Sequence, residues 1–205
     1  MVVFALIALI SGVAYGLCDI NIGFVSAITS RTDFILYFLM FFVGISVGLH
    51  KGILNDLKKY HLKVLIIPFG IVVGSIIGGM ICSPITGFTL GESTAVASGL
   101  GWYSLSGITV GKLAGAKLGS ITFLSNLMRE IFSFFLIPII AKYLNYYSCI
   151  APAAATSEDT TLPMMIKYTN EETVMLSVLN GMICSALVPV LISFCYNNIQ
   201  FDRKG

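Results

Sequence analysis

Residues 120–138 read SITFLSNLMREIFSFFLIP, and no other stretch constrains the fold as much. The run is apolar and long enough to cross a bilayer, which takes about 20 residues, yet Asn126, Arg129 and Glu130 stand near its middle. A charge at that depth costs roughly 2.5–3.5 kcal/mol on insertion scales, so it is held by a partner or kept for a task. Two hydroxyl-rich, interrupted segments flank it. Residues 99–111 carry Gly99, Gly101, Gly107 and Gly111, and residues 156–163 run Thr156, Ser157, Glu158, Asp159, Thr160 and Thr161 up to Pro163. Unwound backbone of this kind survives at membrane depth only where protein or trapped water satisfies it, which is how transport sites are built. A glycine-rich packing helix for the first segment and an ordinary loop for the second are the competing readings.

Composition excludes a soluble domain, with 57% of residues hydrophobic and 11% charged. The slight basic excess falls in short connections, where it sets membrane orientation, and no nucleic-acid partner is expected. Cys18, Cys82, Cys149, Cys184 and Cys195 are scattered, so neither a metal site nor a disulfide framework is expected. His50 and His61 lie close to lysines at the ends of a connection and read as solvated. The expected fold is all-α: one polytopic transmembrane domain of about seven spans, two of them discontinuous. The spans fall near residues 2–18, 34–49, 64–81, 93–111, 118–141, 149–166 and 173–195, with 93–111 and 149–166 broken. Residues 2–18 lack the basic start of a signal peptide and read as a retained span.

Lys51, Lys58, Lys59 and Lys63 mark a cytoplasmic connection by the positive-inside rule. If both broken segments cross, Lys112, Lys117 and Lys167 share that side, while Arg31, Lys142, Arg203 and Lys204 lie outside. Glu92 reads as a loop carboxylate without a function. A loose internal repeat pairs Ala95–Ser98 with Ala153–Ala155 and Leu105 with Leu162.

Arg129 and Glu130 are sequence neighbours, so on a helix they point about 100° apart and do not simply neutralise each other. Asn126 lies on roughly the same side as each. A carboxylate in a partly dry cavity can exchange a proton for a cationic ligand, the core of a coupled antiporter. Half-helix ends supply complementary partners, N-termini for carboxylates and C-termini for cations. Asn180, inside the last span, either bonds a neighbouring helix or lines the cavity.

At GLGWYSLSGI (residues 99–108), NLMRE (126–130) and ATSEDTTLP (155–163), the chain resembles the lysine exporter family LysO. The resemblance runs from about the second span to the last. It implies export of L-lysine and analogues such as thialysine across the bacterial inner membrane, driven by proton exchange and without a cofactor. By resemblance Glu130 matches the acidic residue of the family's R-E motif and Asp159 the aspartate of its T-S-x-D segment. The candidate substrate and proton site accordingly comprises Glu130, Arg129, Asn126, Asp159, Glu158, Thr156, Ser157, Thr160, Trp102, Tyr103, Ser104 and Asn180. The implied fold is distantly related to the cation/proton antiporters and bile-acid symporters. Family members are commonly longer, with an N-terminal membrane region carrying a further functional acidic residue that has no counterpart here. A small membrane subunit or self-association would supply those spans. The rival functions are an accessory or structural membrane subunit and a transporter of another small ion or amino acid. Membrane enzymes are disfavoured, because Asp159 follows Glu158 rather than standing in a G-x-G-D setting and serine chemistry lacks a buried histidine.

Overall fold

In a bilayer every backbone polar group needs a partner inside the protein, so the chain is helical wherever it is described. The structure, a computed structural model, describes residues 2–17, 23, 38, 41, 42, 45 and 63–199. The expected span at 34–49, apart from single helical positions, and the lysine connection at 51–62 lie outside the described residues, as do Arg31, Arg203 and Lys204. The chain divides into two compact units, Met1–Leu49 and His50–Gly205. In the first, α1 runs Val2–Leu17, a continuous apolar helix without charged residues.

The second unit holds the remaining described helices: α2 (Lys63–Thr86), α3 (Leu90–Ala97), α4 (Tyr103–Ala114) and α5 (Ala116–Tyr143). They are followed by α6 (Ile150–Ala153), α7 (Leu162–Tyr168) and α8 (Glu171–Asn198), with 3₁₀ turns at Tyr147–Cys149 and Ala154–Glu158. Among the described residues three helices are long and apolar enough to cross a membrane, at Val64–Thr86, Ala116–Tyr143 and Glu171–Asn198. The protein is a polytopic, all-helical membrane protein.

Both segments expected to be broken are broken. The first stops at Ser98, which caps α3, and restarts at Tyr103, with Leu100 at φ 50° and Gly101 at φ 92° between them. Gly101 suits that left-handed backbone, whereas Leu100 tolerates it at a cost of about 1–2 kcal/mol. The second break turns at Ala154, also at φ 50°. These reversals send each segment back the way it came. Gly91 at the start of α3 lies against the carbonyls of Cys195, Tyr196 and Ile199, and the Tyr196 hydroxyl donates to the Leu113 carbonyl at the end of α4 (3.0 Å). Entry and exit of the first segment therefore share the C-terminal end of α8. At the opposite end the Tyr147 hydroxyl donates to Glu172 (2.9 Å), so the second segment also leaves where it enters.

Sequence alone predicts full crossings here; the structure forms two hairpins that enter from opposite ends, α3–α4 and α6–α7. One charge assignment changes with them. Lys142 and Lys167, expected on opposite sides, share one end, and Lys112 and Lys117 lie at the other.

Each hairpin is followed by a long helix that starts at the hairpin's own end, α5 after the first and α8 after the second. The arrangement is an inverted repeat. Asn180 binds the Ala154 carbonyl 26 residues before it, and Asn126 stands the same distance after Leu100. The repeat anticipated from sequence exists in this different register. Gly99 and Gly181 serve it as close-approach points: a Cβ at Gly99 would lie 2.5 Å from Asn126, and one at Gly181 would lie 2.6 Å from Glu158.

A labelling experiment checks the hairpins. Single cysteines replacing Thr86 and Lys117, in a background free of other cysteines, are expected to react with impermeant reagent from the same side of the membrane, and a cysteine replacing Tyr146 from the other. Opposite sidedness for positions 86 and 117 would restore a full crossing.

Candidate functional site

The hairpin tips meet at the middle of the unit, where the Ala155 amide donates to the Leu100 carbonyl (3.0 Å). Around this contact the polar side chains of the long helices divide into those that hold backbone and those that do not.

Asn126 holds the first tip. Its Oδ1 accepts from the Gly101 amide (2.8 Å), and its Nδ2 donates to the carbonyls of Val96 and Thr122 (3.0 Å each). Asn180 does the same for the second tip, donating to the Ala154 carbonyl (2.9 Å) and to Ser157 Oγ (3.0 Å). Of its two readings, the bond to a neighbouring element is the one realised. Ser157 donates to the carbonyls of Ala154 and Ser177 (2.7 Å each), and Thr156 to the carbonyl of Ala153 (2.9 Å). Half-buried Glu158 accepts from Ser185 (2.9 Å), a partner with no signal in the sequence pattern. Trp102, Tyr103 and Ser104 open α4, half-buried, with the Tyr103 ring edge-on to Phe123 (5.2 Å).

Arg129 and Glu130, at the midpoint of α5, face different surroundings. Arg129 donates from Nε to the Pro152 carbonyl (3.2 Å), from Nη2 to the Ala151 carbonyl (3.2 Å) and from Nη1 to Ser75 Oγ (3.0 Å). It thus closes the carbonyl end of α6, where a cation is favoured. Glu130 is only 1% exposed, and neither carboxyl oxygen finds a hydrogen-bond partner among the described residues. The Thr160 hydroxyl lies beside it, yet it too completes no hydrogen bond of regular geometry. Tyr103 and Asp159 are within electrostatic reach of Glu130. Asp159 itself is exposed and accepts from the Thr160 amide.

The sequence-predicted residues therefore fall into three groups. Glu130, Thr160, Asp159 and Tyr103 gather on one side of the tips. Asn126, Asn180, Thr156 and Ser157 are occupied with backbone. Arg129 faces a cavity of about 350 Å³ between α2, α3 and α5, lined also by Ser75, Gly79, Ser93 and Ser125. The serines of α2 and α3 were missed because single serines in apolar helices carry no periodic signal. Glu92 was misplaced: with Thr89 it forms a capping box at the start of α3, Glu92 Oε2 accepting from the Thr89 amide (2.9 Å) and Thr89 Oγ1 from the Glu92 amide (3.2 Å). Among the described residues no group of His, Cys, Asp and Glu could hold a metal ion.

The arrangement of two oppositely entering hairpins around a buried carboxylate is that of a transporter site, and comparison with known proteins gives its family. A family model described as lysine exporter LysO matches residues 6–196. The chain belongs to the lysine exporter LysO family. Lysine exporter LysO of Escherichia coli strain K12 is 33% identical over 183 residues, covering 89% of this chain and 60% of that protein. A putative lysine exporter of Haemophilus influenzae is 34% identical over 163 residues, covering 78% of this chain and 82% of that protein. This LysO-family chain thus spans about three fifths of the length of the Escherichia coli relative. No solved structure matches it.

Asn126 offers a direct test of the tip architecture in this family member. Replacing it by Leu strands the Gly101 amide and the Val96 carbonyl, at about 1–3 kcal/mol for each buried group. Thermal unfolding in detergent is expected to show a lowered midpoint for Asn126→Leu, with Ser125→Ala unchanged as a control. Equal midpoints would mean that the break is held by other contacts.

Proposed function

We propose that this chain exports L-lysine, and analogues such as thialysine, across the bacterial inner membrane in exchange for protons, with Glu130 as the exchanging group. The observation that carries the reading is the unpartnered Glu130 carboxyl beside the unpartnered Thr160 hydroxyl, buried where two hairpin tips meet. A carboxylate without hydrogen bonds at membrane depth is costly unless it binds a proton or a cation. Proton and lysine ammonium then compete for one place, and each displaces the other. Asp159 and Tyr103 extend that place toward the surface. The family's relatives support the substrate: the Escherichia coli relative is named a lysine exporter, and the one from Haemophilus influenzae a putative one. Neither metal nor organic cofactor enters the mechanism, and a transporter family supports reading the chain as no enzyme. The discontinuous elements also support a distant likeness to cation/proton antiporters.

A purely structural role, as an accessory membrane subunit, accounts for Asn126, Asn180 and Ser157, whose polar groups are occupied with backbone. It gives no role to Glu130. Glu130→Gln keeps the size of the side chain and removes its charge. In proteoliposomes loaded with radiolabelled L-lysine, efflux per inserted molecule is expected to fall at least about a hundred-fold, as for loss of a group acting in proton exchange. Glu130→Asp is expected to retain partial flux, because its carboxylate is retracted by one methylene. Wild-type flux per molecule in the Gln variant would refute proton exchange at this residue.

A further inference from the structure

We propose that the cavity between α2, α3 and the middle of α5 is a carboxylate site whose donors are Arg129 and Ser93. The second half of the proposal rests on the lysine reading above: during transport this site takes the substrate's α-carboxylate, while the ammonium goes to Glu130.

Three observations converge on an anionic occupant. The guanidinium has five N–H donors, and Pro152, Ala151 and Ser75 take one from Nε, one from Nη2 and one from Nη1. One N–H remains on each terminal nitrogen, the pair that grips a carboxylate with two parallel hydrogen bonds. Among the described residues no carboxylate pairs with Arg129, whose printed partners are all neutral oxygens.

Ser93 supplies the second, independent sign. It is 6% exposed, it lines the same cavity, and its Oγ has no hydrogen-bond partner among the described residues. Hydroxyls in helices usually bond back to a carbonyl of the preceding turn. Thr94 and Ser98 on the same α3 do so, to Leu90 (2.6 Å) and Thr94 (2.7 Å), whereas Ser93 does not. A buried hydroxyl left over in a cavity with a cation is a donor in want of an acceptor.

The cavity's size and depth narrow the source. At about 350 Å³ it is at the small end of ligand sites, which run from roughly 300 to 1,000 Å³. Arg129 lies near the midpoint of α5, about 20 Å from either end at 1.5 Å per residue. A lipid phosphate at the membrane surface does not reach it. A small carboxylate inside the protein does, either that of an amino acid or a free one.

Cys82 lines the cavity, is exposed and is a free thiol, while Cys149, Cys184 and Cys195 are buried. In nanodiscs, with Cys18 replaced by Ser, alkylation of Cys82 reports occupancy. L-Lysine is expected to protect Cys82 at roughly ten-fold lower concentration than cadaverine or lysinamide, which lack the carboxylate, because a site built to bond a group rejects analogues without it. Ser93→Ala is expected to cut that preference at least three-fold, and Arg129→Gln to bring it near one, with protection by cadaverine unchanged. Arg129 also ties down α6, so its variant may fail to fold. Two others keep the test open: Ser93 has no partner to lose, and a side chain at Gly78, which lines the cavity with no described atom within 4 Å of its would-be Cβ, fills the space. Gly78→Leu is therefore expected to abolish the preference in folded protein.

If lysine protects but cadaverine and lysinamide protect equally, the carboxylate site falls and the lysine reading stands. If lysine fails and acetate protects, with protection lost in Ser93→Ala, the site stands for free carboxylates and the lysine reading falls. An undiminished preference in both Ser93→Ala and Gly78→Leu would overturn the proposal.

Discussion

The hydrogen bond from the Ala155 amide to the Leu100 carbonyl is the contact on which the rest of the unit depends. A helix that stops at the middle of a membrane exposes amides and carbonyls, each costing several kcal/mol in hydrocarbon if left alone. The two tips reduce that cost by bonding each other. What they leave over falls to one asparagine apiece, Asn126 for the first and Asn180 for the second. Because both asparagines sit on the long helix that follows their own hairpin, each repeat satisfies its own break. The shared bond then joins two self-contained halves. Strain at Leu100 and Ala154, each with a left-handed backbone, is tolerable only in that setting.

How far this was legible in the sequence can be read from particular residues. The breaks were visible because Gly99, Gly101 and the run of hydroxyls from Thr156 weaken a helix wherever it lies. Their re-entrant course was not, because the chain turns at a leucine and an alanine, residue types with no preference for positive φ. The repeat was sought in runs of small residues, which recur by composition in any membrane helix. Its true register is carried by Asn126 and Asn180, where an isolated amide in an apolar span has a specific bond to make. The capping box of Thr89 and Glu92 follows a readable T-x-x-E pattern, but Glu92 was weighed as a charge rather than as a cap. Of the candidate site, the NLMRE segment was picked out by its depth alone. The opposite assignments of its two charges came only with the packing of α6 and α2 against Arg129.

Polar residues inside an apolar bundle are ambiguous until their hydrogen bonds are followed. Asn126, Asn180, Ser157 and Thr161 are deeply buried, and each bonds backbone: they fasten the fold. Ser93, Glu130 and Thr160 hold buried polar atoms that bond nothing among the described residues. In a low-dielectric setting an orphaned group weakens the fold unless something else occupies it. Retention of three such groups within two elements of the hairpin tips is therefore better explained by a ligand than by packing.

These leftover groups are also of opposite kinds, and that limits what the ligand can be. On one side of α5 a carboxyl awaits a cation or a proton, and on the other a guanidinium with spare N–H groups and a serine hydroxyl await an acceptor. A simple cation satisfies the first and leaves the second empty. A simple anion does the reverse. A molecule carrying both charges, with a chain long enough to pass the meeting point of the tips, satisfies both without moving either helix. L-Lysine has that form, with its α-carboxylate at one end and an ammonium four methylenes beyond the α-carbon.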